Sequence, residues 1–366
     1  MQIPASNLTA PKILIAPLDW GLGHATRCIP IIRTLKQKNC EIVIAASGIN
    51  EILLKKEFPD SVFLPLEGYQ IHYSKYRWGL AFKLLIQLKT LKRKIEKEHV
   101  WLQAVIEQYK IDVVISDNRF GLFTSKIPCI FITHQLQIVT PFGLLERLIQ
   151  KINYHYINQY TTCWIPDNAS GQNLAGRLSH PSVIPGIPLQ YIGPLVRFPK
   201  PMPVSIEFDV CIVLSGPEPQ RTILENILLK QVVSVHKKVV LVRGLPGKEE
   251  IIAAPFNTII HNYLTETELL NIIVRSNLVI CRSGYTTVME MMYLQKKTIL
   301  IPTPGQTEQE YLAEHLSKQN FCVTYLQHQF VFSKAVEQAL SFNYIFPDMQ
   351  GNTLNKTVAD FLSALG

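Results

Sequence analysis

Cys281-Arg282-Ser283-Gly284-Tyr285-Thr286-Thr287-Val288-Met289-Glu290, followed downstream by Gly305-Gln306-Thr307-Glu308-Gln309-Glu310, decides how this chain folds. Ahead of it runs Asn277-Leu278-Val279-Ile280, a short apolar run that predicts a buried parallel strand. Arg282-Ser283-Gly284 reads as a turn. From Thr286 onward, Val288, Met291, Met292 and Leu294 predict a helix. A glycine-containing turn that feeds a helix presents unpaired backbone N–H groups and the positive end of the helix dipole, which suits a phosphate or diphosphate. Glu290 falls about one turn into that helix, where a carboxylate can take both hydroxyls of a ribose. A second strand, Thr298-Ile299-Leu300-Ile301-Pro302, ends in a loop whose Gln306, Gln309 and Glu310 suit hydrogen bonding to sugar hydroxyls. The plainer alternative is an ordinary βα turn with Glu290 as a solvated helix residue.

This segment resembles the donor-binding half of the GT-B glycosyltransferases, above all the MurG-like family 28 and its UDP-glucuronosyltransferase relatives. In that pattern an Arg-x-Gly-x-x-Thr-x-x-Glu turn and helix precedes a Gln-rich loop. The matching residues are Arg282, Gly284, Thr287 and Glu290, then Gln309 and Glu310. The resemblance implies that Glu290 binds the ribose. It implies that the backbone from Ser283 through Tyr285 and Thr286 to Thr287 holds the diphosphate, and that Gln309 and Glu310 contact the donor sugar. The family often has a second Gln where this chain has Glu310.

The chain has 366 residues, which fits two domains of ordinary size. With 47% hydrophobic and 17% charged residues, each half can bury a core. A net charge of +8 and a pI near 9.0 fit a polyanion, an anionic membrane surface or a phosphorylated ligand. No apolar run approaches the ~18 residues of a membrane span, and the N-terminus lacks the regions of a signal peptide. The seven cysteines are scattered and odd in number, which predicts reduced core residues in a cytoplasmic protein. With no CxxC, HExxH or Cys/His cluster, no metal site is expected.

Strand and helix signals alternate through both halves, which predicts an α/β fold with doubly wound parallel sheets. In the first half the predicted strands are 12–17, 41–46, 61–64, 111–116 and 128–133. A helix is predicted over 26–38, with Pro30 in or near its first turn. In the second half the strands are 209–214, 238–242 and 258–260, then the two around the opening motif. Pro199, Pro201 and Pro203 mark 196–205 as a stiff linker. The expected domains are 1–197 for the acceptor and 198–348 for the nucleotide-sugar donor. A helix in 349–366 packs back on the first domain, by resemblance. The resemblance thus implies the GT-B fold: two Rossmann-like domains facing a cleft.

Ligands of open α/β sheets bind beyond the C-terminal strand ends, so the informative loops follow strands. The first is Asp19-Trp20-Gly21-Leu22-Gly23-His24-Ala25-Thr26-Arg27. It is a partial dinucleotide fingerprint, with Thr26 in place of the third glycine. The next strand ends in Ala45-Ala46-Ser47-Gly48 without the acid that NAD binding wants. Gly21 and Gly23 instead allow a tight turn that places His24 at a helix start. In the resemblance this is the Gly-rich loop and histidine of the acceptor domain. His24 is then the candidate general base, with its neutral form favoured by the helix N-terminus. The rival is a histidine that bonds a phosphate or caps the loop. In the second loop, Ser116–Gly121, Asp117 suits orienting His24, accepting a hydroxyl proton, or simply making a local turn with Asn118. Asn118 and His134 are acceptor-side candidates by position. In the third, Ser215 and Gly216 stand where the family's Gly-Gly-Ser-x-Gly loop touches phosphates, with prolines nearby that remove N–H donors. Arg197 resembles the family's interdomain arginine, where a cation stabilises the leaving diphosphate. A solvated linker arginine is the alternative. Tyr263 and Leu264 lie where the family reads the uracil edge.

The reaction that the resemblance implies is inverting transfer from a UDP-sugar to a hydroxyl acceptor, with UDP-N-acetylglucosamine one candidate donor. No Asp-x-Asp is present. No cofactor or required metal is expected, the helix dipole and arginines standing in for a cation. The stretch 73–97 interleaves aromatic and apolar residues with lysines and arginines. It fits either a peripheral contact with the inner face of an anionic membrane, and so a lipid-linked acceptor, or a domain helix with a basic outer face. Phe142–Ile149 adds to the same patch. Ser116–Gly121 replaces the family's second Gly-rich loop, which argues against a peptidoglycan transferase. The rival functions are a UDP-sugar 2-epimerase of the same fold and a non-catalytic nucleotide-sugar-binding subunit. No zinc-finger, RRM or KH signature supports nucleic-acid binding.

Overall fold

A computed structural model describes residues 10–69, 80–140, 143–349 and 353–365, without the side chains of 80–89, 144 and 145. Tyr73, Tyr76 and Trp78 of the predicted membrane patch, and Phe142, lie outside the described residues.

The first domain runs β1 (Lys12–Pro17), α1 (Leu22–Gln37), β2 (Glu41–Ala46), α2 (Gly48–Glu57), β3 (Val62–Pro65), α3 (Leu80–Tyr109), β4 (Val113–Asp117), β5 (Cys129–Ile132), α4 (Gly143–Ile157), β6 (Thr162–Ile165) and β7 (Leu189–Tyr191). The second runs β8 (Phe208–Val213), α5 (Gln220–Val232), β9 (Val239–Val242), β10 (Thr258–His261), α6 (Glu266–Val274), β11 (Ser276–Cys281), α7 (Tyr285–Tyr293), β12 (Thr298–Leu300), α8 (Thr307–Lys318), β13 (Val323–Thr324) and α9 (Phe332–Ser341). The last helix is α10 (Thr353–Ser363).

The sheets are ordered β3-β2-β1-β4-β5-β6-β7 and β10-β9-β8-β11-β12-β13, and their ladders are parallel. Both are doubly wound. Alternation along β1 shows why its run is apolar throughout: Ile13 and Ile15 join Ala25, Cys28 and Ile29 of α1, while Leu14 and Ala16 join Leu102 and Val105 of α3. A strand covered on both faces has no polar side. The seven cysteines are free and buried.

Three local readings change. The helix forecast over 26–38 starts at Leu22, because Gly21 takes φ 96°, a conformation open to glycine, and turns the chain early. Pro30 therefore lies inside α1 rather than in its first turn. Asp117 is the last residue of β4, paired in register with Pro17 and Ile132, and is not in the turn. Strands β6, β7 and β13 have two to four residues each and were not foreseen.

The halves are closely docked. One apolar cluster runs from the first sheet through Tyr285, Met289 and Leu312 of the second domain. The helix α10 packs on α1, with Val358 fully buried and Phe361 edge-on to Trp164 at 5.7 Å. Among the described residues, no helix is long and apolar enough to cross a membrane.

Candidate active site

In each sheet the strand order reverses beside its first strand, at β1/β4 and at β8/β11. These are the switch points where open α/β sheets bind ligands. His24, Asp117, Ser215 and Ser283 all sit at or just beyond these strand ends.

On the first domain, α1 has no side-chain cap, so its first N–H groups lack intrahelical partners. His24, in that turn, lies with Nδ1 3.1 Å from Asp117 Oδ2. Arg27, one turn further on the same face, is 2% exposed. Its Nε donates to Asp117 Oδ2 at 2.8 Å and its Nη2 to Asp117 Oδ1. Nη2 also lies 2.9 Å from His24 Nδ1. Burial lowers the His24 pKa below 6.5, and the charge of Arg27 adds to this against the opposing pull of Asp117. Burial alone would raise the Asp117 carboxyl, but Arg27 and His24 outweigh it and hold it at about 2. The site thus pairs a neutral imidazole with a fixed carboxylate. Asn118 takes φ 55° and its N–H donates to the Ile132 carbonyl at 3.1 Å.

A buried frame holds this loop. Arg119 donates to Glu98, to the Pro17 carbonyl at 2.9 Å and to the Glu67 carbonyl at 3.1 Å. The Tyr69 hydroxyl donates to Glu98 at 2.5 Å and accepts from the Phe120 N–H at 2.8 Å.

On the second domain, α7 follows the N-cap residue Gly284 without a side-chain cap, leaving the N–H groups of Tyr285, Thr286 and Thr287 free of intrahelical partners. The two helix starts meet. Thr286 Oγ1 donates to the Gly23 carbonyl at 3.0 Å, and a Cβ on Gly23 would lie 3.3 Å from that oxygen. Glu290 is buried and accepts from Arg197 Nε at 2.8 Å. Burial raises its carboxyl, which Arg197 opposes.

Other predicted donor residues brace their own domain. Arg282 is fully buried and donates to the carbonyls of Ile301, Pro302 and Gln220 and to Gln327 Oε1. Burial lowers it to about 10. Ser283 Oγ donates to the Gln309 carbonyl at 2.8 Å. Gln309 Oε1 accepts from the Thr303 N–H at 2.9 Å, its amide reaches Gln306, and Glu310 Oε1 accepts from the Gly305 N–H at 3.0 Å. Ser215 and Gly216 follow β8 beside Thr303, whose Oγ1 is buried with no hydrogen-bond partner among the described residues. Tyr263 sits under Lys56 of the first domain at 5.5 Å, and Leu264 packs on the shared core. Among the described residues, no three His, Cys, Asp or Glu groups are arranged to hold a metal.

His134 reaches across the cleft. Its ring stacks on Tyr285 at 4.1 Å and its Nε2 lies 2.8 Å from Glu308 Oε1, while Nδ1 is 3.0 Å from Arg27 Nη1. Neither Arg27 nor Glu308 stands among the site residues that the sequence alone singles out. The available signal was a lone charge at 27 in the otherwise apolar stripe Ala25, Cys28, Ile29, Ile32.

Residues 210–352 match the glycosyltransferase family 28 C-terminal domain. Over 327 residues the chain is 24% identical to an uncharacterised glycosyltransferase of Methanosarcina acetivorans, covering 85% of this chain and 84% of the relative. A counterpart from Methanosarcina mazei is 25% identical over 335 residues, with the same coverage. The fold is similar to the calicheamicin glycosyltransferase CalG4, with TM-score 0.67, 12% identity and 98% of each chain covered. It is also similar to Acinetobacter baumannii MurG, with TM-score 0.54, 13% identity and coverage of 97% and 99%. A match to the family 28 C-terminal domain, glycosyltransferase relatives along most of the chain and two facing parallel-sheet domains together support a glycosyltransferase of the GT-B type.

Proposed function

We propose that the protein transfers a sugar from a UDP-sugar to a hydroxyl acceptor, with inversion and without a metal, and that His24 is the general base. The His24–Asp117 pair at the meeting point of the two helix starts carries this reading. With its proton on Nδ1 facing Asp117, His24 keeps a lone pair on Nε2 for the acceptor hydroxyl. As the acceptor oxygen attacks the anomeric carbon, the proton passes to Nε2 and Asp117 stabilises the imidazolium. The nucleoside diphosphate departs toward the N–H groups of α7. Glu290, oriented by Arg197, takes the ribose hydroxyls. UDP-N-acetylglucosamine is the first donor to try, and lipid-linked alcohols are the first acceptors, on the basic character of the 73–97 stretch.

The test is calorimetry of a nucleotide-sugar panel in chelator, on wild type and Glu290→Ala. Tight binding of one UDP-sugar, lost in the variant, supports the donor assignment and names the sugar for acceptor screening. Absence of binding, or binding indifferent to Glu290, overturns it.

A further inference from the structure

We propose that Glu308 of the donor domain is a positioning residue for the His24–Asp117 pair of the acceptor domain, acting through His134 and Arg27. This rests on the reading of His24 as the base. Its consequence is that the base is set when the two domains are in contact.

The geometry is a chain of side chains. Glu308 Oε1 lies 2.8 Å from His134 Nε2, and His134 Nδ1 lies 3.0 Å from Arg27 Nη1. Arg27 Nε is 2.8 Å from Asp117 Oδ2, which is 3.1 Å from His24 Nδ1. A guanidinium only donates, so His134 Nδ1 must present its lone pair to Arg27. The ring proton then sits on Nε2 and is donated to Glu308. One neutral tautomer of His134 satisfies both neighbours, and the ring's plane is held against Tyr285 at 6°. With Nη1 held by His134 and Nε and Nη2 on Asp117, the guanidinium is fixed at all three nitrogens.

That fixation matters at His24 Nδ1, where Asp117 Oδ2 and Arg27 Nη2, at 2.9 Å, compete. If Nδ1 accepts from Arg27, the proton moves to Nε2 and the base is blocked. If Nδ1 donates to Asp117, Nε2 is free. The placement of Arg27 therefore sets the tautomer of His24, and Glu308 anchors that placement from the other domain. Among the described residues, the other titratable groups facing these side chains are Cys28 on α1, which contacts Asp117 at 3.9 Å, and Tyr285 on α7, with Asp167 beside Tyr285.

The test is ring-¹⁵N NMR of histidine-labelled full-length protein across pH, which reads tautomer and protonation without any sugar present. In wild type, His134 shows a single Nε2–H tautomer. In Glu308→Ala that tautomer is lost, and the His24 titration midpoint moves by about half a pH unit or more. Glu308→Gln, whose amide oxygen accepts the same proton, keeps the His134 tautomer. His134→Phe keeps a ring against Tyr285 but removes both nitrogens, and moves His24 as Glu308→Ala does. A His24 signal indifferent to both Glu308→Ala and His134→Phe overturns the proposal, as does an Nδ1–H tautomer of His134 in wild type. Failure to bind or transfer a UDP-sugar overturns the functional reading instead and leaves these spectra as they are.

Discussion

His24 and Asp117, 93 residues apart in the chain, face each other at 3.1 Å because β1 and β4 are neighbours in the first sheet. One residue lies in the first turn of the helix after β1 and the other ends β4, so the sheet register brings base and carboxylate together. His24→Ala lowers sugar turnover by about 10²–10⁴-fold, the usual worth of a positioned base. Asp117→Asn lowers it without weakening UDP binding. Steady-state kinetics beside calorimetry check this. A fall confined to donor affinity would move His24 into the binding site.

The pH dependence follows from the same pair. His24 is held below its ordinary 6.5 by burial and then by Arg27. Its neutral form persists through neutral pH, so turnover is flat there and declines on the acid side with a midpoint below 6.5. Stability has the same sign. The unfolded chain takes the His24 proton near 6.5 while the folded chain resists it, so stability falls as pH drops below that value. Asp117, depressed to about 2 from 3.8, contributes stability that is present above about pH 4 and lost toward pH 2. Denaturation midpoints fall less steeply between about pH 7 and 5 in His24→Asn than in wild type. Parallel slopes would contradict the burial of His24.

Glu290→Gln keeps the volume beside Arg197 but loses the charged acceptor. Charge-assisted bonds are worth about 1.5–3 kcal/mol each, so UDP affinity drops by about tenfold or more. Calorimetry with UDP alone gives the answer, and an unchanged affinity would remove Glu290 from the ribose site.

The Arg119–Glu98 pair, 0% and 4% exposed, frames the loop beyond Asp117. Glu98→Ala leaves a buried guanidinium uncompensated and destabilises by about 3–5 kcal/mol. Glu96→Ala, on the same helix but 61% exposed in its ion pair with Lys92, costs within about 0.5 kcal/mol. Urea denaturation of the two variants separates them, and similar losses would contradict the frame.

The sequence by itself determined the layers. A parallel strand covered by helices on both faces is apolar along its middle, with polar residues only toward its ends, so β1, β2, β4, β5, β8, β9, β11 and β12 were readable as nearly continuous apolar runs. The Arg282–Glu290 turn and helix was readable because its residue types are local and closely spaced. The short strands β6, β7 and β13 carry too few residues to show a pattern. Tertiary structure alone decided what the charges do. Arg282, in the most telling motif, turns inward to bolt strand ends together, whereas Arg27 and Glu308 converge on His134 from different domains. Partners drawn from α1, β4, the loop after β5 and α8 leave no spacing in the sequence. Only the sheet order and the docking of the two halves bring them within hydrogen-bonding range.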